Sequence, residues 1–89
     1  MSNWHVYIIL CSDNTLYTGM SVDVETRFAQ HACQRGAKYF RGRNPERIVY
    51  MESGHDRSSA SQREAAIKKM RRSEKERLVA SSTNELQST

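Results

Sequence analysis

WHVYIILCSDNTLYTGMS, residues 4–21, decides how this chain folds. Val6 to Leu10 is a continuous apolar run rich in β-branched residues, the pattern of a strand buried on both faces. Ser12-Asp13-Asn14 is turn chemistry, and Leu16 to Met20 is the return strand. Loop length sets the register, and a slip of one residue exchanges the two faces of a strand. An even loop pairs Tyr7 with Met20 and sends Tyr17 to the opposite face. A three-residue loop over Ser12, Asp13 and Asn14 pairs Cys11 with Thr15. Tyr7 then lies opposite Gly19, and Tyr17 opposite Ile9. The second arrangement is favoured, because such loops commonly end in a left-handed residue, which Asn14 tolerates. It also gathers Trp4, Val6, Ile8, Leu10, Leu16 and Met20 on one face. His5, Tyr7, Tyr17 and Gly19 share the other, the more polar of the two.

Working outward, Asp23 caps a helix running to about Ala32, with Val24, Phe28 and Ala32 as its buried stripe. Arg27 and His31 are four apart and stand one above the other on a single flank. Gly36 stops the helix, Ala37 to Arg41 suits a short helical turn, and Gly42-Arg43-Asn44-Pro45 is a loop. Ile48 to Met51 reads as a third strand and Gly54 to Arg57 as another loop. A second long helix spans about Ser59 to Met70, capped by Ser58 or Ser59. Ser73-Glu74-Lys75-Glu76 is a capping-box pattern that opens a last helix. The polar stretch from Ser81 to Thr89 predicts a frayed, disordered tail after a domain over residues 1–80. The order β-β-α-α-β-α-α defines an α+β fold, a small three-stranded antiparallel sheet flanked by helices.

The 89 residues suffice for one domain with a modest core, which favours a surface cleft over a deep pocket. Net charge is +4, and it is unevenly placed: Arg35 to Arg47 holds five basic residues and one acid, Glu46. Lys68-Lys69 and Arg71-Arg72 form a second cluster. Basic stretches bind polyanions by releasing condensed counterions, so nucleic acid is the leading partner class. Cys11 and Cys33 are too few and too far apart for a disulfide framework. His31 with Cys33 lacks the second ligand pair that a zinc site needs. Unpaired cysteines without a secretory signal point to a reducing cytoplasm, and no apolar run approaches a membrane span.

Tyrosines in strands ordinarily serve packing. Gly19 alters the balance, because a strand glycine often marks close approach of a ligand or another backbone, here that of a nucleic acid. A phenol can relay a proton once a cation lowers its pKa from about 10. A lone arginine on a helix flank is usually solvated, yet beside a phosphate the planar fork of Arg27 suits bidentate contact. His31 on the same flank can carry a proton near neutral pH. Ser61-Gln62-Arg63-Glu64 is itself a capping-box pattern, in which Glu64 would only satisfy amides at a helix start; Ser58 and Ser59 are earlier caps and would place it inside the helix. A lone carboxylate on a basic domain matches Mg²⁺, which takes one or two protein carboxylates and fills its other positions with water and phosphate oxygens.

His5-Val6-Tyr7, Tyr17-Thr18-Gly19, Arg27, His31 and Glu64, in that order, resemble the GIY-YIG nuclease domain over roughly residues 3 to 78. Gly36-Ala37-Lys38-Tyr39, Arg41-Gly42-Arg43, Arg63-Glu64-Ala65-Ala66-Ile67-Lys68-Lys69 and Ser73-Glu74-Lys75 look most like the small stand-alone YhbQ-like members. The resemblance implies phosphodiester hydrolysis with a single Mg²⁺ or Mn²⁺ held by Glu64. It further implies that Tyr7 or Tyr17 activates water, that Arg27 steadies phosphorane charge and that His31 handles a proton or contacts phosphate. Gly19, Lys38, Tyr39, Arg41, Arg43 and Lys68 would contact nucleic acid. His5 stands where the motif carries its first glycine. The neighbourhood where relatives carry a polar residue, commonly Asn, after the glutamate offers Glu76 or Lys75 here, and Asn84 is too distal to fill it.

Two functions of different class follow. One is a metal-dependent DNA endonuclease, structure- or lesion-selective and linked to repair or recombination, as a homodimer or with a protein partner. The other is a nucleic-acid-binding module, or a nuclease subunit that cleaves only with its partner. A protein-only adaptor leaves the Tyr, Arg and Glu set unexplained.

Overall fold

A computed structural model describes residues 3–32, 44–81 and 83–87, with backbone alone over 30–32 and at 87. Strands β1 (Trp4–Cys11), β2 (Leu16–Ser21) and β3 (Pro45–His55) form one antiparallel sheet ordered β2-β1-β3. Helix α1 (Val24–Ala32) follows the hairpin, α2 (Arg57–Lys68) and α3 (Arg72–Val79) follow β3, and a 3₁₀ turn covers Glu85–Gln87. The expected short helix at 37–41 lies outside the described residues.

The hairpin adopts the three-residue register. Tyr7 pairs with Gly19 and Ile9 with Tyr17, the Cys11 amide donates to the Thr15 carbonyl at 2.9 Å, and Asn14 is left-handed at φ 66°. Central β1 is buried on both sides, Val6, Tyr7, Ile8 and Ile9 being at most 1% exposed. Beneath one face, Val6, Ile8 and Tyr50 pack on Ala60 and Ile67 of α2, with Leu78 and Val79 of α3 alongside. The other face, expected to be the more polar of the two, also carries a buried apolar cluster. There Tyr7, Ile9 and Cys11 pack with Val24 and Phe28 of α1 and with Ile48 and Met51. One apolar residue per helical turn was enough to seat α1 on the tyrosine side.

β3 is far longer than the apolar run Ile48 to Met51 that announced it. The long central strand offers pairing along its whole length, and β3 follows it by absorbing extra residues at three register shifts. Between the Val6–Glu52 and Trp4–His55 pairs the extra residue falls near Gly54, whose φ of 83° is the left-handed conformation a bulge uses. The glycine expected to mark a loop is a bulge inside a strand.

Helix starts also differ from expectation. Asp56, not Ser58 or Ser59, caps α2, accepting from the Ser59 amide at 2.7 Å while Ser59 Oγ accepts from the Asp56 amide at 3.1 Å. At α3 the Glu74 carboxylate accepts from the Arg71 amide at 3.0 Å. Glu76, free of capping, pairs with Arg72 at 2.9 Å. Asp23 does cap α1, accepting from the Thr26 amide at 3.1 Å.

The frayed tail is likewise corrected over residues 83–87. Asn84 is 0% exposed and makes every hydrogen bond an amide can make. Its Nδ2 donates to the carbonyls of Val49 (2.8 Å) and Val79 (2.7 Å), and its Oδ1 accepts from the amides of Met51 (3.2 Å) and Leu86 (3.0 Å). The Ser53 amide and hydroxyl both donate to Glu85 Oε2 at 2.6 Å. Side chains of a polar segment thereby satisfy the outer edge of β3, which would otherwise present a row of unpaired backbone groups. Asn84→Ala strands four of these groups and is expected to cost about 3 kcal/mol in urea unfolding. A loss under about 1 kcal/mol would show that the tail contributes nothing to the edge.

Candidate active site

Tyr7 and Tyr17 reach the same sheet face from adjacent strands, because both sit at odd positions of a register pairing Tyr7 with Gly19. Tyr7 is buried, its ring ending directly over Gly19: a Cβ added there would lie 2.6 Å from the Tyr7 hydroxyl oxygen and 2.7 Å from Cζ. The room Gly19 leaves is thus filled by a phenol of the site, where the sequence suggested an approaching nucleic acid. Tyr17 is half-buried and keeps a solvent-facing portion.

Arg27 comes from the exposed flank of α1 and hydrogen-bonds the Tyr7 phenol. Glu64 comes from α2, which lies against β1 and β2. Its side chain is 22% exposed, and Lys68 Nζ stands 3.7 Å from it one turn on. Burial, then the neighbouring Tyr17 and more weakly Glu64, push the Tyr7 phenol up to about 12 despite the charge and hydrogen bond of Arg27. Burial and then the Glu64 carboxylate also raise Tyr17 above its ordinary value, against the pull of Arg27. Both phenols therefore hold their protons at neutral pH. Arg27 and Glu64 both act on each of the two phenols, which places Tyr7, Tyr17, Arg27 and Glu64 in one electrostatic neighbourhood.

His31 lies one helical turn beyond Arg27 on α1, and its side chain is outside the described residues, as are Lys38, Tyr39, Arg41 and Arg43 entirely. Lys68 stands beside the site through Glu64. His5 borders a shallow surface pocket with Asp23, Glu25 and Met51 at the start of α1. Among the described residues no three His, Cys, Asp or Glu side chains converge on a point. Glu64, whose side chain keeps part of its surface in solvent, has the chemistry of a carboxylate that Mg²⁺ or Mn²⁺ takes together with water and phosphate oxygens.

Sequence reasoning missed a second polar group. Glu52 is 8% exposed and faces the same core as Tyr50. It accepts from the Tyr50 hydroxyl, from Arg63 Nε at 3.1 Å on both oxygens, and lies 2.6 Å from His55 Nε2. The signal was available: an acid two residues after a core tyrosine in a strand needs buried partners.

A family model described as the GIY-YIG catalytic domain matches residues 3–77. The chain belongs to the GIY-YIG family. Among similar proteins, a UPF0213 protein of Natronomonas pharaonis is 49% identical over 79 residues, spanning 89% of this chain and 93% of that one. UPF0213 protein YhbQ of Escherichia coli is 42% identical over 80 residues, 90% of this chain and 80% of its own. A UPF0213 protein of Bacillus halodurans, solved by solution NMR, superposes with a TM-score of 0.58 at 37% identity, covering 93% of this chain and 88% of that one. GIY-YIG is a nuclease family whose members generally use divalent metals and act on nucleic acid. No helix among the described residues is long and apolar enough to cross a membrane.

Proposed function

We propose that this GIY-YIG domain is a divalent-metal-dependent DNA endonuclease, structure- or lesion-selective and serving cytoplasmic DNA repair or recombination. One observation carries the reading: a carboxylate from α2 and a guanidinium from α1 both act on the two phenols of the hairpin. Glu64 would hold Mg²⁺ or Mn²⁺, whose positive charge would polarise a phosphoryl oxygen, stabilise the leaving oxygen and lower the pKa of nearby phenols. Tyr17 reaches solvent and is the phenol that takes the proton of the attacking water. Tyr7 is enclosed, and it accepts the Arg27 hydrogen bond that aims the guanidinium at the phosphate. His31 and Lys68 contact phosphate beside them, with Lys38, Tyr39, Arg41 and Arg43 as further contacts.

A second reading draws on the raised phenols. Without a cation neither is a base at neutral pH, as in a binding module or a subunit completed by a partner. Incubation with duplex, flap, junction and single-stranded DNAs, in Mg²⁺, Mn²⁺ or EDTA, separates the two. The endonuclease nicks at least one substrate only when metal is present. Binding that weakens steeply with salt, without cleavage at any metal concentration, establishes the binding module instead.

A further inference from the structure

Helix α2 carries Glu64, so whatever fixes the rotation of α2 about its axis fixes where that carboxylate sits. Ala60 and Ile67 attach the helix through one apolar stripe, both 0% exposed. A single stripe holds a helix down yet resists rolling poorly, and alanine is a small stop. Arg63 lies between those two residues and makes a contact of another kind. Its Nε donates to both oxygens of Glu52 on β3, while the main body of α2 rests on β1 and β2. Glu52 is itself immobilised by the Tyr50 hydroxyl and by His55 Nε2 at 2.6 Å, and His55 Nδ1 lies 3.0 Å from Ser59 Oγ in the first turn of α2.

We propose that the Glu52–Arg63 pair is a positioning device that sets the roll of α2 and so aims the Glu64 carboxylate at the two tyrosines. The inference rests on the nuclease reading above. Glu64 follows Arg63 by one residue, about 100° around the helix. A roll of about 10° at roughly 6 Å from the axis moves its carboxylate by about 1 Å, and misplacement on that scale can cost about 10²-fold in rate. The Glu52 carboxylate is held in its charged form. Burial pushes Glu52 up, but hydrogen bonds from Tyr50 and His55 and the charge of Arg63 outweigh it and hold the group below its ordinary value.

The test uses Glu52→Gln, Arg63→Met and the double variant of the full chain, with Val79→Ala as a control that loosens the same core without touching the pair. Folding is checked by amide NMR spectra, Mn²⁺ affinity by EPR of the free ion, DNA affinity in EDTA, and kcat with Mg²⁺ on a substrate the wild type cuts. Both single variants are expected to stay folded, to lose about 10- to 100-fold in kcat with weaker Mn²⁺ binding, and to keep DNA affinity within twofold. The double variant loses no more than the worse single one, because both act through one contact. Folded variants with kcat and Mn²⁺ affinity within twofold of wild type overturn the proposal. So does an equal loss in Val79→Ala, which assigns the effect to general loosening. A wild type that neither binds Mn²⁺ nor cleaves overturns the nuclease reading, and this inference with it.

Discussion

Glu64→Gln is expected to lower metal-dependent cleavage by about 10³-fold or more, while fold and DNA binding survive. Among the described residues no group of three His, Cys, Asp or Glu side chains gathers there, so no ready-made ligand cage stands in for the lost charge. Removing one preorganised electrostatic contact to a transition state commonly costs about 10²–10³-fold, and a carboxylate proposed to hold the divalent ion belongs at the upper end. The structural cost is small. Glu64 gives up a contact with Lys68 at 3.7 Å, an i,i+4 pair whose lysine is 53% exposed, and such pairs are worth about 0.3–0.5 kcal/mol. Both phenols hold their protons at neutral pH with or without the carboxylate, so their states do not change. Loss of a negative charge from a basic surface should leave affinity for DNA in EDTA unchanged or slightly tighter. The signature is therefore a split: binding kept, turnover gone. Cleavage of the variant within tenfold of wild type would remove Glu64 from the metal site.

The parts legible from sequence were those where local chemistry and long-range packing agree. The hairpin register followed from Asn14 and from the alternation of β1 and β2, and it placed both tyrosines on one face before any tertiary contact was known. The Asp23 cap and the position of Glu64 inside α2 were equally local. What escaped was set by distant partners. β3 extends through polar Glu46, Arg47, Ser53 and Gly54 because β1 supplies its hydrogen bonds, a demand with no mark in the β3 sequence itself. The role of Asn84 depends on carbonyls of Val49 and Val79, remote in sequence or on another element. Gly19 was recognised as a close-approach residue, and the group that stands over it in the structure is the Tyr7 ring across the strand pair. Sequence spacing says that room is needed without saying for what.

Gly19→Ala, the smallest change that could be made in the hairpin, is expected to damage both stability and turnover. An ideal Cβ at this position stands 2.6 Å from the Tyr7 hydroxyl oxygen, 2.7 Å from Cζ and 3.1 Å from Cε1, so something must move by several tenths of an ångström. The moving part cannot be a flexible chain end. Tyr7 is 1% exposed, its ring packs in the cluster with Ile9, Cys11 and Val24, and its hydroxyl is held by Arg27. Overpacking of this kind costs about 1–3 kcal/mol, against a gain of about 0.5–1 kcal/mol from replacing glycine inside a strand. The net loss is about 1–2 kcal/mol, readable as a lower urea midpoint. If the ring yields instead of the backbone, it carries Arg27 with it, and a displacement near 1 Å can reduce turnover about 10²-fold. The background in which the change is made distinguishes this cause from any other. In Tyr7→Phe the 2.6 Å contact disappears and the 2.7 Å contact with Cζ stays, so Gly19→Ala should remain harmful there, though less so. In Tyr7→Val both contacts vanish, and Gly19→Ala should become neutral or stabilising by about 0.5 kcal/mol. Equal destabilisation by Gly19→Ala in all three backgrounds would mean that the Tyr7 ring is not what the glycine accommodates.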